Sequence, residues 1–362
     1  MCKYIIGIPK EIKSNETRVA IIPTDIIKIK TLFNNIKIYL QKGAGLKSSY
    51  TDNDYINVGV EICETIEELY SKCNLIVKVK EPQELEYNLI TNKHVIFSFF
   101  HFAGNEKLLK EMINNKSTCI AYETINDNNG YPILTPMSRI AGENAIIEGD
   151  KFLKSNNIHI TDDTIVSIIG CGNVGKSALN MAINMGYNNF NILDIDENKL
   201  KNIEKEYSNK NIKSYKIDEN NLKKICEVSN IIIGAIYISG EKTSKIITND
   251  MLDLMNNKSI FIDVSIDQGG MTEQSVPKTY NEPIIKYKNT NLFCVANIPS
   301  INGVKASKIL SNSILKYLII ILNTNTIKEL FNNNIIKEGI NVSDGYIYLE
   351  AIKKNDIIIE KR

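Results

Sequence analysis

The sequence predicts an α/β protein of two doubly wound, parallel-sheet domains joined by long helices. Three observations predict it. The chain has 362 residues, enough for about two domains that each bury a core. In its first half, Ile/Val-rich runs at residues 4–8, 36–40, 75–79, 95–100 and 118–122 alternate with helix-length polar segments. The alternation restarts after residue 160, with runs at 164–169, 189–193, 230–236, 259–264 and 292–296. Strands alternating with helices build mostly parallel sheets covered on both faces.

Two long helices are expected where the halves meet. Residues 136–153 set Ile140, Ile147 and Leu153 among polar positions, a helical period starting near Ser138. Residues 304–322 form the second. As a hinge, the pair divides the chain into a discontinuous first domain, 1–136 with 304–362, and a central domain, 137–303.

Composition narrows the partners. The 43 Lys+Arg against 42 Asp+Glu leave a net charge of +1, too balanced for a global attraction to nucleic acid or an anionic membrane, so a small near-neutral ligand is the expected partner. The 7 cysteines are scattered, with no C-x-x-C pair, and read as reduced thiols of a cytoplasmic protein with no metal site. The N-terminus reaches Pro9 and Lys10 after a short apolar run, unlike a signal or transit peptide, and the longest apolar stretches, such as 317–322, fall far short of a bilayer span.

The strongest local motif is Gly170-Cys-Gly172-Asn-Val-Gly175, placed directly after an apolar strand and before a plausible helix. Gly170 permits the tight turn, Gly172 lets the backbone approach a pyrophosphate, and Gly175 lets helix and strand pack closely. Unpaired amides at the helix start favour phosphate. A second strand ends at Asp194, 19 residues beyond Gly175, where a carboxylate accepts hydrogen bonds from ribose hydroxyls and repels a 2′-phosphate. The central domain is therefore expected to be a Rossmann domain binding NAD, with Asp196 the alternative if the register shifts. Lys176 does not make the loop a P-loop, because the spacing is absent.

The first domain offers groups for chemistry at strand ends. Period-2 alternation puts Ile76, Lys78 and Lys80 on one face, with Pro82 ending the strand just after Lys80, which is either a ligand-facing or a solvated lysine. His101, following Phe97, Phe99 and Phe100, is either a general acid/base or a buried core histidine. Arg18, after the first strand, presents a fork suited to a carboxylate, or else forms a surface salt bridge to Glu16 or Glu11. In the second half, Asp267 before Gly269 and Gly270 activates water, positions an ammonium group or closes an Asx turn.

Taken in order, Gly7-Ile-Pro-Lys-Glu-Ile-Lys, Asn15-Glu-Thr-Arg-Val-Ala, Lys42-Gly-Ala-Gly45, Lys78-Val-Lys-Glu-Pro82, His101, Ala121-Tyr-Glu-Thr124, Leu134-Thr-Pro-Met-Ser138, the glycine-rich motif, Gly234-Ala235, Ile266-Asp-Gln-Gly-Gly270 and Val295-Ala-Asn-Ile-Pro299 resemble the alanine dehydrogenase family. That family belongs to a larger group shared with the NAD-binding subunit of pyridine nucleotide transhydrogenase. The resemblance implies reversible, NAD-dependent oxidative deamination of a small L-amino acid, L-alanine to pyruvate and ammonium being the leading case. It implies that Arg18 holds the carboxylate, that Lys80 contacts carboxylate or carbonyl, that His101 is acid/base, and that Asp267 lies beside the nicotinamide. Asn297 and Ile298 line the nicotinamide side, and Ser138, Asn173, Val174 and Ala235 join Gly170, Gly172, Gly175 and Asp194 in cofactor binding. A homo-oligomer, hexamer or dimer, and a site in the cleft between the domains are also implied.

The chain departs from the family pattern in three places. The usual Ser-Glu-x-Ala-Gly-Arg run reads Ser138-Arg139-Ile140-Ala141-Gly142-Glu143, the loop at 155–163 is shortened, and a Pro-basic-Thr-Ser-Thr segment becomes Gly303-Val-Lys-Ala-Ser307. Two other readings stay open: an opine-forming dehydrogenase, in which another amine attacks the 2-oxo acid, and a transhydrogenase-like NAD(H)-binding module without chemistry.

Overall fold

The computed structural model describes residues 4–128, 130–236 and 243–350; Cys2 and the terminal 351–362 lie outside the described residues. The chain forms two compact units, residues 1–137 with 300–362 and residues 138–299.

The first unit begins with strands β1 (Ile5–Ile8), β2 (Lys37–Gln41), β3 (Glu61–Cys63), β4 (Leu75–Val77), β5 (Val95–Ser98) and β6 (Thr118–Ala121). The second holds β7 (Ile165–Ile169), β8 (Asn189–Asp194), β9 (Asn211–Lys216), β10 (Ile231–Gly234), β11 (Ile260–Asp263), β12 (Ile284–Tyr287) and β13 (Thr290–Phe293). The chain then returns to the first unit for β14 (Ile340–Ser343) and β15 (Tyr346–Ile347).

The sheet of the first unit has the order β15-β14-β6-β5-β4-β1-β2-β3. Its pairs from β6 to β3 are all parallel, whereas β14 runs antiparallel to both β6 and β15. The second sheet, β12-β13-β11-β10-β7-β8-β9, is parallel except for the β12–β13 pair. Both sheets are thus mostly parallel, as the alternation predicted, and mixed only at one edge. At one of these edges a two-residue turn, Asp344–Gly345, with both residues at positive φ, closes a hairpin of the hand that twisted strands favour.

Strand alternation accounts for the two apolar layers of the second unit. Ile231, Ile233, Ile260 and Ile262 pack into one cluster with Leu179 and Ala182, while Ile232 and Phe261 pack into the other with Leu222 and Met251. Residues covered on both faces read as continuous hydrophobic runs, which is why these strands were legible.

The helix expected from near Ser138 spans Leu134–Ser155, beginning four residues earlier. The last long helix, Gly303–Leu322, buries Ala306, Leu310, Ile314, Tyr317, Leu318 and Ile321 at helical spacing. Its serines anchor the segment that carries Arg18: Ser307 Oγ accepts the Val19 amide at 2.9 Å and Ser311 Oγ accepts the Ile22 amide at 3.1 Å. The described cysteines from Cys63 to Cys294 are free and buried. Among the described residues no helix is long and apolar enough to cross a membrane.

Candidate active site

The glycine-rich turn sits between β7 and the helix Asn173–Asn184. Gly170 has φ +102°, a left-handed conformation that a side chain would strain. At Gly175 a Cβ would come 1.9 Å from the Gly170 carbonyl oxygen, so only glycine lets helix and turn approach. A Cβ at Gly172 would meet nothing within 4 Å, and no side chain caps the helix start. The turn therefore presents an open face and helix amides to an anion, which fits the pyrophosphate of a dinucleotide.

Asp194 stands at the end of β8, buried, with Oδ2 accepting the Cys171 amide at 2.6 Å and Oδ1 accepting the Asp196 amide at 2.9 Å. Its carboxylate is fastened to the turn, and its remaining lone pairs fit ribose hydroxyls. The alternative, Asp196, instead caps the next helix by accepting the amides of Asn198 and Lys199. Asn173 and Val174 open the helix after the turn, Ala235 N donates to the Ile169 carbonyl at 2.8 Å, and Ser138 is half-buried within the helix Leu134–Ser155. Arg139 and Glu143 line a cavity of about 430 Å³ in the second unit with Asn173, Lys176 and Glu206.

In the first unit, Arg18 is buried, not the surface cation that sequence allowed. It meets Glu16 with Nε to Oε1 at 2.8 Å and Nη2 to Oε2 at 2.6 Å, while Nη1 lies 3.4 Å from Met137 Sδ. One edge of the guanidinium fork is thus committed to Glu16.

β4 stops at Val77, two residues short of the predicted run; Lys78 N still donates to the Phe97 carbonyl at 3.1 Å and Val79 O accepts the Phe99 amide at 3.2 Å, but the next amides turn to a side chain. The Val79 amide donates to Glu11 Oε1 at 2.6 Å and the Lys80 amide to Oε2 at 3.4 Å. Lys78 is fully buried with its Nζ 2.9 Å from Glu86 and 3.7 Å from Glu11. Burial opposes the Lys78 charge, but Glu11 and Glu86 outweigh it and raise its pKa. Burial pushes the Glu11 carboxyl up to about 7, against the attraction of Lys78. Lys80 is 5% exposed, so the solvated reading is also corrected. Beside it, Glu81 is 2.5 Å from Lys13; although burial raises the Glu81 pKa, the charges of Lys13 and Lys80 bring it below its ordinary value.

His101 lies three residues beyond β5 in the left-handed conformation, φ +49°, which costs a non-glycine residue about 1–2 kcal/mol. Its ring stacks on Phe99 with centroids 5.7 Å apart. Its amide donates to Glu123 Oε1 at 2.7 Å, and the Phe100 amide reaches both oxygens at 3.2 and 3.3 Å. It is half-buried, whereas His94 has the fully buried, hydrogen-bonded role: its ring accepts the Thr91 amide and contacts the Tyr70 carbonyl, and burial lowers its pKa.

In the second unit, Asp267 lies exposed in the turn Val264–Gln268, and its two oxygens accept the Asn297 amide at 3.2 and 3.3 Å. Asn297 has φ +63°, and Ile298 beside it is buried. The structure therefore groups Arg18, Lys80 and His101 within one unit, and joins Asp267 to Asn297 within the other. Sequence reasoning missed that Glu11 and Glu123 take the backbone amides beside Lys80 and His101. Both stand in the quoted motifs just beyond a strand, and that position was the available signal.

Comparison with known proteins gives the family. Residues 7–141 match the alanine dehydrogenase/PNT N-terminal domain family and residues 151–350 its C-terminal domain family. An alanine dehydrogenase of Methanococcus maripaludis is 32% identical over 362 residues, covering 97% of this chain and 96% of that protein. One of Bacillus subtilis is 30% identical over 361 residues, covering 97% and 94%. A solved L-alanine dehydrogenase superposes with a TM-score of 0.86 at 27% identity, covering 96% of this chain and 98% of the other. A transhydrogenase from Sinorhizobium meliloti, 19% identical with a TM-score of 0.77 over 96% of this chain and 99% of the other, shares the fold. With both domain families matched in order and relatives aligned over nearly its full length, the chain belongs to the alanine dehydrogenase/PNT family.

Proposed function

We propose that this protein is an NAD-dependent alanine dehydrogenase, converting L-alanine and water to pyruvate and ammonium, reversibly. The observation that carries the reading is the glycine turn with Asp194 fastened to it: an open face at Gly172 for a pyrophosphate and a buried carboxylate for the ribose. Full-length similarity to proteins named alanine dehydrogenase supports the substrate.

NAD is held by Gly170, Gly172, Asn173, Val174, Gly175, Asp194, Ser138, Ala235, Asp267, Asn297 and Ile298, and when bound accepts the hydride that leaves the amino-acid Cα. Arg18 holds the substrate carboxylate, its own orientation set by Glu16. Lys80 contacts the carboxylate or carbonyl and polarises the 2-oxo acid. His101 moves protons at its imidazole, taking one from water as it adds to the imino carbon and returning one to the departing nitrogen. Asp267 positions water or ammonia. The substrate is a small molecule; the chain acts as a homo-oligomer, hexamer or dimer, in the cytoplasm.

The test is NADH oxidation with ammonium and a panel of 2-oxo acids, repeated with amino acids in place of ammonium. Turnover with pyruvate and ammonium is expected. Activity only with an amino acid as amine donor points to opine formation and overturns the proposal. Lys80→Ala and His101→Ala should bind NADH normally and lose turnover; unchanged turnover removes both from the mechanism.

A further inference from the structure

Two carboxylates that no part of the reaction uses occupy equivalent places in the first sheet. β1 and β6 flank the β4–β5 pair, and each sends a glutamate from just beyond its carboxyl end towards the neighbouring strand. Glu11, three residues after β1, takes the amides of Val79 and Lys80 beyond β4. Glu123, two residues after β6, takes those of Phe100 and His101 beyond β5. In each case the side chain supplies the rung that the parallel ladder would have supplied next. Both side chains are buried, at 6% and 5% exposure, where a carboxylate is costly unless its oxygens are satisfied. A carboxylate with two acceptor oxygens can hold two successive amides while the backbone leaves the strand conformation, which one carbonyl oxygen of a neighbouring strand does less well. At His101 the backbone has left the strand for the left-handed conformation, φ +49°.

We propose that Glu11 and Glu123 are the positioning residues of this site, each gripping the backbone of the loop that presents one reacting side chain, Lys80 or His101. The proposal rests on the roles given to Lys80 and His101 above. Neither glutamate need touch the substrate; each acts by fixing where a neighbouring side chain stands, and small displacements of such groups are expensive in rate. Glu11 has a second duty, since Lys78 and Glu86 share its buried site, so the Lys80 loop is held by both the carboxylate and the charge cluster beneath it.

The experiment is steady-state kinetics of Glu11→Gln and Glu123→Gln with pyruvate, ammonium and NADH, alongside NADH binding by fluorescence. Glu123→Gln should lower kcat by roughly tenfold or more with KM for pyruvate little changed, since the proton-moving group is displaced. Glu11→Gln should chiefly raise KM for pyruvate, again by roughly tenfold, since the substrate-binding lysine is displaced. NADH affinity should stay at the wild-type value in both. If a glutamine variant fails to fold, the aspartate variant at the same position, which keeps the charge but shortens its reach, should show the same split. Folded variants with wild-type kcat and KM, or with losses that merely track NADH affinity, overturn the proposal. Lys80→Ala and His101→Ala in the same assay separate the two layers: retained turnover there sinks the roles of Lys80 and His101, whereas lost turnover there beside wild-type-like glutamate variants sinks the positioning alone.

Discussion

Arg18 and Glu16, two residues apart, form a two-pronged ion pair in which both side chains are almost completely withdrawn from water, at 2% and 0% exposure. The pair orients the guanidinium by consuming one edge of its fork, and Glu16 also accepts the amides of Thr17 and Arg18 at 3.1 and 2.9 Å. The role proposed for Arg18 in holding the substrate carboxylate would therefore be joined to local stability in one group.

Replacing Arg18 with Ala should raise KM for pyruvate and also destabilise the protein by about 3–5 kcal/mol, because the buried Glu16 carboxylate loses the guanidinium charge. Chemical denaturation measures the loss. Adding Glu16→Gln should recover much of the stability but none of the affinity for pyruvate; a single variant as stable as wild type would contradict the buried pair.

Gly172 and Gly175 should separate binding from folding. Gly172→Ala adds a methyl that meets no protein atom within 4 Å, so thermal stability should hold while NADH affinity falls. Gly175→Ala drives a Cβ to 1.9 Å from the Gly170 oxygen and should compromise folding itself. Equal NADH affinity in Gly172→Ala and wild type would show that no ligand approaches that face.

Asp194→Asn should relax the preference for NADH over NADPH by about tenfold, the scale of one charge–charge contact in a solvated setting. Because Asp194 also holds the Cys171 amide, some loss of NADH affinity should accompany it. The ratio of kcat/KM for the two cofactors decides, and an unchanged ratio would remove Asp194 from discrimination.

Glu11 should make stability depend on pH. Its carboxyl is raised from 4.5 to about 7 by burial, opposed by Lys78 and reinforced by Glu16 and Glu86, while the phenols of Tyr70 and Tyr122 also feel its charge. The folded state thus holds this proton more tightly than the unfolded chain. Its contribution is fully present below about pH 4.5 and is lost as pH rises through about 7. Lys78, with its pKa raised, stays charged throughout that window. Melting temperatures of wild type should fall relative to Glu11→Gln from about pH 5 to about pH 8; parallel curves would refute the assignment.

Much of the fold was legible because its strands are buried on both faces. Runs such as Ile231–Gly234 and Ile260–Asp263 have to be continuous hydrophobic segments when helices cover both sides of a sheet. Strands at sheet edges were harder to see: β9, with the polar sequence Asn-Ile-Lys-Ser-Tyr-Lys, and the β14–β15 hairpin carry a weak apolar signal. The end of β4 was also misjudged, since a continuing period-2 pattern says nothing of an acceptor 68 positions earlier in the chain.

The sequence by itself determined the alternating α/β architecture, the glycine turn with a carboxylate one strand away, and the set of ionisable residues at strand ends, because periodicity and spacing are local properties. Only the tertiary structure decided what those ionisable residues do to one another. It buried Arg18 against Glu16, sank Lys78 between Glu11 and Glu86, and gave the Lys80 and His101 loops their carboxylate anchors. The reason is physical: the worth of a charge depends on its burial and on partners that arrive from distant strands, and neither is written in the order of residues along one segment.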